Sequence, residues 1–174
     1  MIGAGADRVS EVLADQPALA GRTVDADEVM VPLVSPPLRR ENALGLELIL
    51  EGFLLHHGRP RHVDNVPMGA AVLAGDYCYA QGLVRVAATG DLQVVEALGD
   101  LVSLSAVAVA IDRQQDLVPL WRVTAAGIAG EDGPATAGAA RAARAALREG
   151  VPDPIHEMAA TLPVAPALEQ ALAR

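Results

Sequence analysis

Apolar residues recur along the chain with a helical period. Val9, Val12 and Leu13 followed by Gln16 keep the i, i+3, i+4, i+7 spacing, so a short helix is expected, ending at Pro17. Thr23 can cap a second short helix, with Asp25, Asp27 and Glu28 favourable in its first turn and Pro32 closing it. Ser35-Pro36-Pro37 is a breaker. From Leu38 to His57 the apolar residues occupy most of the helical circumference, which predicts a buried central helix stopped by Gly58-Arg59-Pro60. Pro67 opens a helix to about Thr89, with small residues at Gly69, Ala70, Ala71, Ala74 and Gly75 that let another helix approach closely. Gly90-Asp91 reads as a C′ glycine followed by an N-cap. Val94, Val95, Leu98, Leu101 and Val102 then form one face of a helix running toward Ile111.

Asp112 to Asp116 reads as a linker, and Leu117 to Gly130 as a helix interrupted by Pro119. Glu131-Asp132-Gly133-Pro134 is a turn. Ala135 to Arg148 is an Ala/Arg helix whose Arg141, Arg144 and Arg148 form a stripe. A solvated face is the main reading of that stripe, and a diphosphate clamp is the alternative. Four prolines, Pro152, Pro154, Pro163 and Pro166, leave only short helices beyond it. The pattern contains no strand signal and no repeat, so residues 1–174 are expected to form a single all-α domain.

Composition narrows the chemistry. The chain has 174 residues, 52% of them hydrophobic, yet Phe53, Tyr77, Tyr79 and Trp121 are its only aromatics. Its core must be Ala, Leu and Val, which agrees with helix. Net charge is −9 and all 13 basic residues are Arg. Such a chain lacks the phosphate-neutralising surface and the stacking platform of a nucleic-acid binder. Without Lys, every lysine-based mechanism is excluded. Cys78 is the lone cysteine and reads as core filler, compatible with a reducing cytoplasmic compartment. No uncharged run exceeds 11 residues and the N-terminus has no signal-peptide pattern, so neither a membrane span nor a leader is expected.

His56, His57, His62 and Asp64 are the densest set of metal-ligand types, but they match no zinc spacing, and no metal site is expected. His156 is isolated and expected at the surface. Gly3-Ala4-Gly5 has no strand before it and is not a dinucleotide loop. Ser10, Ser35, Ser103 and Ser105 lie in no nucleophile-elbow motif. No catalytic residue is assigned.

Leu73-Ala74-Gly75-Asp76-Tyr77, the Gly90-Asp91 turn and the following Val94-Val95 helix resemble the middle of the trans-prenyl (polyprenyl) diphosphate synthases. Their L-x-G-D-Y/F helix, Gly-Asp turn and V-V-x-x-L helix come in the same order. The resemblance is best from 38 to 105 and thinner to 130. Arg39 stands where the family's isopentenyl-diphosphate arginine stands, and Pro36 where its lysine does. Against the family's E-x-x-H-x-x-S-x-x-H-D-D, Glu47 and His56 match, Leu50 replaces the substrate histidine and His57 replaces the first aspartate. Neither D-D-x-x-D motif is present. Ionising an allylic diphosphate needs metal and cationic groups, and Mg²⁺ prefers carboxylate oxygens.

The resemblance therefore implies an all-α, truncated isoprenoid (terpenoid) synthase-like bundle without its own metal site. Its implied role is that of the small auxiliary subunits of two-component synthases, dimeric with a catalytic polyprenyl diphosphate synthase subunit. Mg²⁺ would enter only through that partner. Arg39, Arg59, Arg61 and His56 are the candidate diphosphate-binding residues, at the mouth of the former substrate cavity. The arginines can equally be surface groups pairing with Asp64 or Glu41. The alternative function is a homodimeric module binding an isoprenoid or other apolar ligand.

Overall fold

The computed structural model describes residues 8–27, 29–30, 38–129 and 134–173, and over these the chain is all-α. Helix α1 spans Val9–Ala14 and is followed by a 3₁₀ turn at Pro17–Leu19. Then come α2 (Arg40–His57), α3 (Met68–Ala88) and α4 (Leu92–Ala110). A 3₁₀ turn at Gln114–Asp116 leads into α5 (Leu117–Ala129), α6 (Pro134–Arg148), α7 (Asp153–Thr161) and α8 (Pro166–Leu172). Pro32, the Ser35-Pro36-Pro37 breaker, Gly3-Ala4-Gly5 and the Glu131-Asp132-Gly133 turn lie outside the described residues.

The α2 helix is central because it is apolar on every side. Leu44, Leu48 and Leu55 enter a cluster with Val9, Leu13 and Leu19. Leu46, Ile49, Leu50, Phe53 and Leu54 enter the larger cluster around Trp121, Leu98 and Leu101. The third side is closed by α3, its most extensive neighbour. There Gly45 and Gly52 of α2 meet Gly82 and Gly75 of α3. A Cβ on Gly82 would lie 2.8 Å from the Gly45 carbonyl oxygen, and one on Gly52 would lie 2.7 Å from the Tyr79 ring and 3.0 Å from the Gly75 oxygen. Seven residues separate the glycines within each helix, two turns, so both contacts fall along one seam. A close approach is expected from the small residues of the Pro67–Thr89 segment, and Gly75 is one of its contact points; Gly82 is a second that the expectation does not include, while Gly69 meets nothing within 4 Å.

The turn into α4 follows its sequence signals. Gly90 takes a φ of +78°, and the Asp91 carboxylate accepts from the backbone N–H groups of Gln93 (3.1 Å) and Val94 (3.2 Å). By length and composition α4 is apolar enough to cross a membrane, with 39% of that window buried, although it contains no long uncharged run. Its two carboxylates are tied to α6: Arg141 pairs with Glu96 at 2.9 Å, and Arg144 and Arg148 both reach Asp100. The arginine stripe is thus an ionic seam between helices, and its middle member is buried, which corrects the reading of a wholly solvated face.

Three further expectations need correction. Residues 23–27 are not helical; Thr23 forms an antiparallel bridge with Val63, flanked by Val24 N–H to His62 O and Asp64 N–H to Arg22 O, both 2.9 Å. Tertiary pairing overrides the local capping signal there. Pro119 does not interrupt α5, because it sits in the first turn, where N–H groups have no intrahelical acceptor. The 112–116 segment is no free linker: Asp116 is buried, bonds Arg113 at 2.9 Å, and approaches His156 Nε2 at 2.7 Å, so His156 is exposed but not isolated.

The seam has a measurable consequence. Gly82→Ala forces a Cβ into a backbone oxygen and should cost about 2–3 kcal/mol. Gly99→Ala, on α4 with nothing within 4 Å of its added Cβ, should gain roughly 0.5–1 kcal/mol. Urea unfolding midpoints of the two variants test this; equal stability for Gly82→Ala and the parent chain would remove the seam as a constraint.

Candidate functional site

Two carboxylates stand in the apolar length of α2. Glu47 and Glu51 are each 1% exposed and lie one turn apart on the same face. Buried carboxylates need donors, and two loops supply them. Glu47 Oε1 accepts from the backbone N–H groups of Val29 (2.8 Å) and Met30 (2.6 Å). Glu51 Oε1 accepts from those of Arg61 and His62, both at 2.9 Å. The Arg61 guanidinium lies 3.6 Å from Glu47 Oε2 and also donates to the Asp27 carbonyl. One helix face therefore holds residues 29–30 and 61–62 by their own backbone.

His56 lies on α3. Its ring stacks on Tyr79 at a centroid distance of 5.3 Å, and Nε2 approaches Asp76 Oδ1 at 3.2 Å. That contact is an ion-pair approach without hydrogen-bond alignment. A Cβ on Gly75 would lie 2.5 Å from His56 Nε2, so glycine is required beneath the ring. The Leu73–Tyr77 motif thereby has a local physical explanation: Gly75 admits the histidine and Asp76 faces it. His57 packs its ring against Phe53 at 5.1 Å.

The four candidate diphosphate-binding residues do not converge as a group. Arg59 is exposed in the loop after α2, close in sequence to His56 and Arg61. Arg39 immediately precedes α2, so the helix, about 27 Å long at 1.5 Å per residue, separates it from Arg59. Arg61 is engaged by Glu47 and Asp27, not by Asp64, and Glu41 pairs with Arg85 at 3.6 Å. Among the described residues no group of three or more His, Cys, Asp and Glu side chains could hold a metal ion.

Burial sets the electrostatics. Desolvation pushes the Glu51 carboxyl up to about 7 against the lowering pull of the His62 and Arg61 backbone donors. Desolvation, reinforced by the Arg61 charge, holds His62 down to about 4, so its buried ring is neutral. Burial raises the Cys78 thiol far above its ordinary value and raises the Tyr79 hydroxyl as well. A thiol in that state is not a nucleophile at neutral pH. Of these groups Glu51 braces structure, because its lone pairs are committed to the 61–62 loop.

The bracing role of Glu51 was missed in the sequence, although two carboxylates four residues apart in a continuous apolar run are a legible sign of buried acceptors. The Asp116–His156 contact left no local signal, since its members are 40 residues apart. No family model matches the chain, and no curated protein or solved structure matches it.

Glu51 and His62 make opposing contributions to stability. Glu51 is raised from 4.5 to about 7 on folding, so its contribution is complete below pH 4.5 and is lost as pH rises through 7. His62 is lowered from 6.5 to about 4, so its contribution is complete above pH 6.5 and is lost as pH falls through 4. At about 1.4 kcal/mol per pH unit each amounts to roughly 3 kcal/mol, and between pH 4.5 and 6.5 the two slopes cancel. Relative to the parent chain, Glu51→Gln should gain stability as pH rises across that window, and His62→Leu should lose it. Urea midpoints taken at half-unit pH steps check this; curves parallel to the parent for both variants would show that neither group titrates as described.

Proposed function

We propose that the chain is a non-catalytic auxiliary subunit, resembling a truncated trans-prenyl diphosphate synthase on a terpenoid synthase-like bundle, which supports isoprenoid chain elongation by a catalytic partner. The sequence resemblance supplies the family. The observation that carries the reading of a subunit is an apolar surface on α3 and α4. Of the ten large apolar side chains exposed among the described residues, seven belong to this hairpin: Met68, Val72, Leu73, Val84, Leu92, Val107 and Ile111. Leu73 is 67% exposed, although it belongs to the motif that best marks the family. Of the carboxylates on these helices, Glu96 is paired with Arg141.

The dimensions suit an interface. Helices of 21 and 19 residues are about 30 Å long, and at about 10 Å spacing they present roughly 600 Å². Doubled across two partners, that reaches the lower bound for a specific complex. Exposed large apolar side chains gathered on two neighbouring helices suit an interaction site. His56-His57, in place of the first aspartate motif, gives this chain no carboxylate pair there, so Mg²⁺ chemistry belongs to the partner. The same hairpin surface can meet its own copy about a two-fold axis, which supports the second reading: a homodimeric module for an isoprenoid or other apolar ligand.

Affinity capture from native cytosol, identified by mass spectrometry, tests the subunit reading. The expected catch is a stoichiometric prenyl synthase carrying both aspartate-rich motifs, and Leu73→Glu with Val107→Glu should weaken its retention at least about a hundredfold while helical content is unchanged. Turnover of farnesyl and isopentenyl diphosphates with Mg²⁺ by the purified chain alone would overturn it. Recovery of the bait alone, with a dimer that the same double variant dissociates, would instead select the homodimeric module.

A further inference from the structure

A cleft of about 340 Å³ opens between the first turns of α4, the end of α5 and the first half of α6. Two glycines shape it. A Cβ on Gly127 would lie 2.7 Å from the Ala140 methyl, so α5 and α6 touch there, while Gly138 faces open space. Val94, Ala97, Ile128 and Ala137 give the cleft an apolar lining. Its volume falls within the range of small-molecule sites.

Arg144 lines this cleft from the buried side and is only 3% exposed. Its guanidinium is poorly satisfied. The Nε group reaches Asp100 Oδ2 at 3.4 Å, the long limit of a hydrogen bond, and Asp100 is shared with Arg148. The Nη1 group is buried with no acceptor. Burial pulls the Arg144 pKa below its ordinary value, against the raising effect of Asp100. A buried cation with open donors is costly unless something supplies acceptors. Arg141 stands on the same cleft, paired with Glu96 and largely exposed, so a second cation is at hand. The third carboxylate nearby, Asp91, is used in capping α4.

We propose that this cleft binds a small molecule through an oxyanion, carboxylate or phosphate, that accepts from Arg144, with Arg141 at the rim and the ligand's apolar body against Val94, Ala97 and Ile128. The planar guanidinium fork suits an acceptor with two oxygens. The site does not rest on the subunit reading, because none of the seven exposed apolar side chains of the α3–α4 hairpin lines the cleft.

The test titrates the full chain with sodium butanoate and, separately, with inorganic phosphate. The readouts are the Arg144 Nε–H resonance in ¹⁵N spectra and the melting temperature. The expected result is a saturable shift of that resonance with at least one probe, accompanied by thermal stabilisation. Saturation by butanoate alone assigns a carboxylate ligand, and saturation by phosphate alone assigns a phosphate. Ala137→Phe fills the cleft while leaving every ion pair in place, and should weaken binding at least about tenfold. Arg144→Gln should do the same; if it does not fold, Ala137→Phe carries the test. No saturable response to either probe, or an undiminished response in Ala137→Phe, overturns the proposal.

Discussion

The contact between the α2 and α3 backbones governs the rest of the architecture. Where Gly45 faces Gly82 and Gly52 faces Gly75, no side chain separates the helices. Helices that close cannot slide or rotate without driving a Cβ into a carbonyl oxygen, so their register is fixed. Once α3 occupies one side of α2, the remaining apolar residues of α2 must be covered from two others. The α1 segment covers Leu44, Leu48 and Leu55, and α4 and α5 cover Leu46, Ile49, Leu50 and Phe53. A helix enclosed in this way has no solvated side on which to place Glu47 and Glu51. They are buried as a consequence of packing, and the loops that satisfy them are drawn onto the helix.

This sequence of causes bears on the chemistry at the end of α2. His56 is placed by Gly75, stacked by Tyr79 and approached by Asp76. Arg61 is drawn back by Glu47 and the Asp27 carbonyl. Two of the four candidate diphosphate ligands, His56 and Arg61, are therefore engaged by intramolecular partners. A buried cation with an unsatisfied donor lies elsewhere, on α6, where Arg144 shares Asp100 with Arg148.

Most of the helical layout was legible because its signals are local. The Gly90-Asp91 turn, the Pro67 start and the unbroken apolar run ending at Gly58 each act within a few residues of themselves. The failures share one cause, which is distance along the chain. Thr23 carries a good capping residue, yet its segment pairs with 62–64, and nothing in the neighbourhood of Thr23 reports that pairing. The arginine stripe on α6 looks solvated until its acids, 44 to 48 residues away on α4, are brought beside it. Residue type told which groups were capable of chemistry; it did not tell which were already occupied.

A core of Ala, Leu and Val explains why so much specificity rests on glycine and charge. Aliphatic side chains pack well in many arrangements and discriminate weakly among helix registers. Among the described residues Phe53 and Trp121 form an aromatic pair in edge contact, at 6.0 Å, and large shape-specific anchors are otherwise scarce. The glycine seam excludes wrong registers sterically, and the buried carboxylates exclude them electrostatically, because a shifted loop leaves Glu47 or Glu51 without donors. The outer side of the α3–α4 hairpin carries neither device. Among the described residues its exposed apolar side chains meet neither a glycine contact nor a buried ion, so the devices that fix the interior leave that surface unspecified.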